Sequence, residues 1–221
     1  MEQKKTKKGD YVEIRFTGTS NGKIFDSNIE EDLKSIDPKA KVKKIVISIG
    51  KGMVVQGLDN ALEDKEVGKE YSIHLNYNEG FGPRRNDLMK TIPLSVFTAQ
   101  KITPHVGGSF LMDNMLAKVI AISGARVITD FNNPLAGKDL DYRFKIVRFV
   151  EDLKEKAESF FEFNFRFVPE IEISNKKVIV KGPEYLSKVI ENLKERFKEE
   201  IGADIEFKAS DSNNKLTEEK S

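Results

Sequence analysis

The stretch GKGMVVQGLDNALEDKEVGKEYSI, residues 50 to 73, changes its hydrophobic period part-way along. Val54, Val55, Leu58, Ala61 and Leu62 recur at helical spacing just after Gly52, which predicts a short helix. Beyond the turn at EVGK the text alternates, with Ile73, Leu75 and Tyr77 one way and His74 the other, as a half-buried strand does. Upstream, KKIVISIG closes at Gly50 and aligns Ile45, Ile47 and Ile49 on one face. Further back, DYVEIRFTGT alternates Val12, Ile14 and Phe16 with Glu13, Arg15 and Thr17, and SNGK supplies a turn before IFDSN. A short helix set among antiparallel strands is therefore the frame of the first third of the chain.

Downstream, YNEGFG at 77 to 82 is a glycine-punctuated turn, yet the next strand-like text of the same kind, FNNPLAGKDLDYRFKIV, begins only at residue 131. There Leu140, Tyr142, Phe144 and Ile146 alternate and would close the same sheet. A structureless loop of about fifty residues is improbable in a compact domain. LMKTIPLSVF, GGSFLMDN and LAKVIAISGARVITDF carry their own apolar runs and turns, so a small folded insert is expected there. From residue 151 the style changes again. EDLKEKAESFF is helical, and EIEIS with KKVIVK predicts a hairpin about Asn175. GPEYLSKVIENLKERFKEEIG is a helix whose stripe is Leu186, Val189, Ile190, Leu193, Phe197 and Ile201, stopped by Gly202. ADIEFK reads as a last strand, and SDSNNKLTEEKS lacks the apolar content to order itself.

Composition narrows the function. Thirty-seven basic residues stand against thirty-six acidic ones, a net charge of +1, so no global field would gather nucleic acid. KVKK at 41 to 44 reads as a solvated loop. No run approaches the ~18 apolar residues of a membrane span. MEQKKTKKGD has no apolar segment behind it and is read as a flexible cytoplasmic arm. There are no cysteines, which removes disulfides and thiolate chemistry and fits an intracellular protein. His74 and His105 are the only histidines, far apart and without ligand-like neighbours, so no metal and no cofactor is expected.

VEIRFTG, NGKIFDSN, GKGMVVQGLDNALEDKEVGKEYSI, YNEGFG and LAGKDLDYRFKIV, in this order and spacing, resemble the FKBP-type peptidyl-prolyl cis-trans isomerases. The insert is similar to the insert-in-flap domain of the SlyD-like subgroup, and the C-terminal unit to the extra domain of long-chain archaeal members. The resemblance implies an α+β fold in four parts: an isomerase domain at 1–84 and 131–152, a mostly-β insert at 85–130, a C-terminal α+β domain at 153–208 and a disordered tail at 209–221. It implies rotamase activity on X-Pro bonds of unfolded or partly folded polypeptides, with the insert acting as a chaperone. Motif by motif, Asp26, Phe25, Val55, Phe81 and Tyr142 would carry the reaction, and Phe16, Ile45, Ile47, Val54 and Leu58 would line the pocket. Leu88, Met89, Ile92, Leu94, Val96, Phe97, Phe110, Met112 and Met115 would supply the insert's capture surface, divided between that surface and the insert's own core.

Two departures from the family matter. Phe16 and Phe81 stand where the family often has tyrosine, and Leu58 where single-domain members have tryptophan. Weaker or less selective catalysis is expected, with Asp26 relying on water or on the Tyr142 hydroxyl. A holding chaperone with little catalysis is one alternative. A dimeric scaffold pairing through the open edge of KKVIVK is the other.

Overall fold

A computed structural model of the chain describes residues 4–112 and 114–210. In chain order the elements are β1 (Tyr11–Ser20), β2 (Lys23–Ser27), α1 (Glu30–Ile36), β3 (Ile45–Ser48), α2 (Gln56–Ala61) and β4 (Glu70–Leu75). There follow β5 (Met89–Pro93), α3 (Leu94–Ala99), β6 (Ser109–Met112), β7 (Met115–Ser123) and β8 (Arg126–Asp130). The chain ends with β9 (Leu140–Phe149), α4 (Leu153–Phe165), β10 (Glu170–Ser174), β11 (Lys177–Gly182), α5 (Leu186–Ile201) and β12 (Ile205–Ala209). Two compact units result, Met1–Ile73 with Asp141–Ser221, and His74–Leu140. The antiparallel sheets and accompanying helices make the fold α+β.

In the first unit, five strands form a sheet of order β2-β1-β9-β4, with β3 also paired to β1. The alternation of β1 places Val12, Ile14 and Phe16 on one face, opposite Ile47 and Ile45 of β3 and Phe144 of β9. The other face of β1 is covered at its start, where Tyr11 meets the C-terminal helices. Tyr11 and Val150 share one core with Ala157, Phe160, Phe161, Ile190 and Phe197, and Val46 packs against it. The C-terminal elements thus bury an apolar face of their own, which Tyr11 and Val150 join. α4 starts where Asp152 caps the backbone N–H of Glu155 at 2.8 Å, and α5 stops at Gly202, whose φ of 79° suits glycine.

Three expectations are corrected here. The basic N-terminus is not a free arm: Thr6 is buried, its N–H donates to the Lys65 carbonyl at 2.9 Å and its hydroxyl to the Leu62 carbonyl at 2.6 Å. KKVIVK has no open edge, because β11 is the centre of the sheet β10-β11-β12, antiparallel to the first and parallel to the last. Glu30–Ile36 form α1, an element not expected from the sequence because it buries no residue and shows no apolar stripe. Of the tail expected at 209–221, residues 211–221 lie outside the described residues, while Ala209 still belongs to β12 and the Ser210 N–H donates to the Gly182 carbonyl at 3.0 Å.

The second unit contains a four-stranded antiparallel sheet of order β5-β8-β7-β6, with α3 following Pro93. Its core is small: Phe97, Val119 and Val127 are buried, with Ile92, Leu94, Ile102 and Phe110 packed against them. Phe97 is therefore not on a capture surface. It is fully buried, edge-on to Phe110 at 4.8 Å between centroids, because a four-stranded sheet needs one large side chain to fill the space under its helix. Among the described residues no helix is long and apolar enough to cross a membrane.

Candidate active site

The site begins with a β-bulge. Thr17 pairs with Ser27 and Gly18 with Asp26, but Thr19 pairs with Ile24, so Phe25 is the extra residue of β2. A bulge re-aims side chains locally. Here the Phe25 ring stands edge-on to Tyr142 of β9, with centroids 5.8 Å apart, and Tyr142 in turn lies 6.0 Å from Phe16. The rings of Phe25 and Tyr142 meet over Gly18, which pairs with Tyr142 across the β1–β9 ladder. A Cβ built on Gly18 would stand 2.6 Å from Cζ of Phe25 and 2.9 Å from Cε1 of Tyr142, so only glycine leaves the rings their place. Gly18 belongs to this cluster of candidate site residues and was missed in the sequence reading. Its one signal was its position inside VEIRFTG, the motif that carries Phe16.

Asp26 follows the bulge. Loss of hydration among its neighbours pushes its carboxyl above the usual carboxylate range, against a Ser27 backbone N–H that favours the charged form. The Tyr142 phenol is pushed well above its ordinary value, first by burial and then by the charge of Asp26. Among the described residues no hydrogen bond joins the two, so their coupling is through space. Ile45 and Ile47 of β3 share the sheet face of Phe16 through their pairing with Ile14 and Val12.

The remaining expected wall follows β3. Val54 and Val55 are half-buried and Leu58 is 1% exposed. Val55 precedes the first turn of α2, so its N–H lies outside the helical ladder. The turn between β3 and α2 is fixed by a second residue that was missed. Asp59, buried in α2, accepts from the Gly50 N–H at 2.8 Å and the Gly52 N–H at 2.9 Å. Asn28 is the third. Its Oδ1 accepts from the Phe16 N–H at 2.8 Å and its Nδ2 donates to the Ile14 carbonyl at 2.8 Å, so one side chain acts as a strand partner for β1. Phe81 belongs to the second unit, half-buried beside the turn in which the Gly82 N–H donates to the Tyr77 carbonyl at 2.7 Å. Among the described residues no group of three or more histidine and acidic side chains could hold a metal ion.

The pattern of the FKBP-type peptidyl-prolyl cis-trans isomerase family matches residues 2–96, and that of the FKBP26 IF domain matches residues 90–135. A short-type peptidyl-prolyl cis-trans isomerase of Methanocaldococcus jannaschii is 32% identical over 143 residues, 63% of this chain and 91% of that protein. The chain belongs to the FKBP-type peptidyl-prolyl cis-trans isomerase family. An FKBP-type peptidyl-prolyl cis-trans isomerase SlyD of Yersinia pestis is 31% identical over 113 residues, 49% of this chain and 57% of that protein. A SlyD of Helicobacter pylori is 25% identical over 147 residues, 65% of this chain and 72% of that protein.

The raised Asp26 carboxyl of this FKBP-type isomerase has a measurable consequence. An acid whose proton is held more tightly in the folded state opposes folding once it ionises. That cost is absent below the ordinary carboxylate pKa and is fully present above the raised folded value. Asp26→Asn is therefore expected to raise the melting temperature at pH 7 and to leave it nearly unchanged at pH 3. Paired melts across that range check it, and an equal shift at both ends would contradict a carboxyl raised by folding.

Proposed function

We propose that the aromatic bowl over Gly18 is where this isomerase receives the proline ring, and that the second unit captures the unfolded chains that carry it. Twisting an X-Pro amide to its transition state removes a resonance worth most of the general barrier of ~18 to 20 kcal/mol. The planar ground state is the more dipolar one, so an apolar surface favours the twisted state, and a backbone donor such as the Val55 N–H holds the substrate in a turn. No nucleophile, general base or metal is required. Asp26 sets the local field beside Tyr142, and the part of Phe81 rests on the motif match alone. An unfolded polypeptide is the substrate class, and a chain without cysteine and with a net charge of +1 suits a reducing cytoplasm better than a nucleic-acid partner.

The observation that carries the capture reading is the β6–β7 hairpin. Its register sets Leu111 opposite Leu116, and these are 63% and 52% exposed, with Met115 at the tip 45% exposed. Val96 is exposed as well, whereas Leu88, Met89 and Met112 are half-buried and Ile92, Leu94 and Phe110 serve the insert's core. Large apolar residues facing each other across a water-facing hairpin cost solubility and suit a promiscuous partner. Replacing both Leu111 and Leu116 with serine spares the buried core, so turnover of an unstructured X-Pro peptide is expected to be unchanged. Acceleration of a proline-limited protein refolding reaction should fall by about tenfold or more, because capture raises the local concentration of substrate. Equal loss in both assays would refute the division of labour. Capture without any peptide turnover would instead favour a holding chaperone.

A second reading concerns pairing of two chains through the C-terminal sheet, at β12 rather than β11. The Ser210 N–H and the Asp204 carbonyl bond toward β11, so by alternation Ile205, Phe207 and Ala209 direct their N–H and C=O groups to the open edge. An antiparallel two-fold pair centred on Phe207 would set Glu206 against Lys208 of the second copy, twice. Glu206→Lys is expected to yield monomers by light scattering, and the double exchange Glu206→Lys with Lys208→Glu to restore dimers. A monomeric wild-type chain would remove this reading.

A further inference from the structure

The strand that offers Ile45 and Ile47 to the site is the least supported in its sheet. β3 has four residues and, among the described residues, pairs only with β1. The Ile49 N–H donates to the Asp10 carbonyl and the Ile49 carbonyl accepts from the Gly9 N–H, so by alternation the odd residues of this strand bond toward β1 while Val46 and Ser48 face the open edge. Two side chains meet that edge. The Ser48 N–H donates to Sδ of Met53 at 3.1 Å, a weak acceptor in the adjoining turn. The Val46 carbonyl accepts from the hydroxyl of Ser159 on α4 at 2.6 Å. The Val46 side chain, on the opposite face from Ile45 and Ile47, packs against the C-terminal core of Phe160, Phe161 and Ile171.

The same helix is tied to the same sheet by charge. Glu155 takes Arg148 of β9 at 2.6 Å and Lys44, the residue before β3, at 2.9 Å. Glu13 of β1 takes Arg148 at 2.9 Å and Lys44 at 3.7 Å. Four side chains from β1, β9, the β3 approach and α4 thus close one ring around the back of β3. Helix α4 thus supplies one hydroxyl to a carbonyl at the open edge of β3, where a further strand would supply an N–H.

We infer that Ser159 is a positioning residue for the isomerase: through the Val46 carbonyl it holds β3 in the place from which Ile45 and Ile47 shape the substrate surface, which makes the C-terminal domain a working part of turnover. The inference rests on the reading that Ile45 and Ile47 line the site. Without the hydroxyl, the Val46 carbonyl loses its partner at the open edge, β3 samples more positions, and the substrate surface is less often in register.

The test uses the full-length chain with a protease-free assay on an unstructured X-Pro peptide, well below the melting temperature. Ser159→Ala is expected to lower kcat/KM by about threefold to tenfold, the scale of one lost hydrogen bond. Ser159→Thr keeps the hydroxyl and should restore most of it. Ile201→Val trims the same C-terminal core without touching β3, and should lower the melting temperature while leaving kcat/KM unchanged. If Ile201→Val lowers kcat/KM as much as Ser159→Ala does, or Ser159→Ala has no effect, positioning is refuted. Ile45→Ala separates the two levels: loss of turnover there with none in Ser159→Ala sinks the inference alone, and no loss in either sinks the site assignment with it.

Discussion

Gly18→Ala is expected to lower kcat/KM for an X-Pro peptide by at least about tenfold in a protein that still folds. The methyl group would arrive 2.6 Å from Cζ of Phe25 and 2.9 Å from Cε1 of Tyr142, distances that real Cβ contacts do not reach. The backbone at Gly18 is ordinary strand, so alanine introduces no torsional strain of its own, and the whole effect falls on the rings. Phe25 is the extra residue of the bulge and its Cζ is the nearer contact, so its ring is the one displaced, whereas Tyr142 pairs with Gly18 itself. Swinging Phe25 outward would open the bowl to water and separate it from Asp26, weakening the dry surface that favours the twisted amide. Overpacking of this kind costs roughly 1 to 3 kcal/mol, and a loss of that size in transition-state binding is about tenfold or more. A variant with unchanged turnover would show that the ring cluster over Gly18 does not receive the substrate.

Asn28→Ala carries the largest expected loss of stability. It would leave the Phe16 N–H without its acceptor and take one of its donors from the Ile14 carbonyl in a buried stretch of β1. The unpartnered N–H costs about 1 to 3 kcal/mol and the second lost bond about 0.5 to 1.5 kcal/mol, so a loss of roughly 2 to 4 kcal/mol is expected. At this chain length that is a fall in melting temperature of roughly 5 to 15 °C for the unit that contains β1. Asn28→Asp sharpens the test. An ionised carboxylate still accepts from Phe16 but faces the Ile14 carbonyl with no proton to give. Its destabilisation should be largest at neutral pH and should shrink as acid protonates the side chain. If the melting temperature does not respond to either change, the amide is not acting as a substitute strand.

Much of the frame was readable because it follows from short-range period. β1, β3, β9 and the α5 stripe with Gly202 all appear where alternation or helical spacing put them. The residues that shape the site were less readable. Nothing in the letters around Gly18 says that two rings will lie on it, and Asn28 looks like a turn residue until β1 is seen beside it. Phe25 and Asp26 are adjacent in sequence and would point to opposite faces in a regular strand, so the bulge that uses both is visible only in the register. α1 hid because its seven residues bury nothing, and its first turn of Glu30, Glu31 and Asp32 shows only charge. KKVIVK reads as an edge because its second partner, β12, arrives in parallel after a whole helix, and only the returning strand reveals which one is central. Thr6 is similar, since its partners at Leu62 and Lys65 are remote in sequence.

The order β2-β1-β9-β4 has a consequence for how this protein comes into being. β9 sits between β1 and β4, yet it is made only after the entire second unit. While the ribosome is still reading residues 76 to 139, β1 and β4 have no strand to join them, and the rings that will meet over Gly18 lack Tyr142. The insert has no such wait, for its strands pair with close neighbours between Met89 and Asp130. It can therefore fold first, and its exposed hairpin is available before the catalytic sheet closes. Pairing β1 with β9 must close a far longer loop, and contacts of such sequence separation form slowly in general. A nascent chain of this protein presents the exposed Leu111, Met115 and Leu116 while its own sheet is unfinished, so under the proposed capture role the first unfolded chain they would meet is the rest of the same molecule.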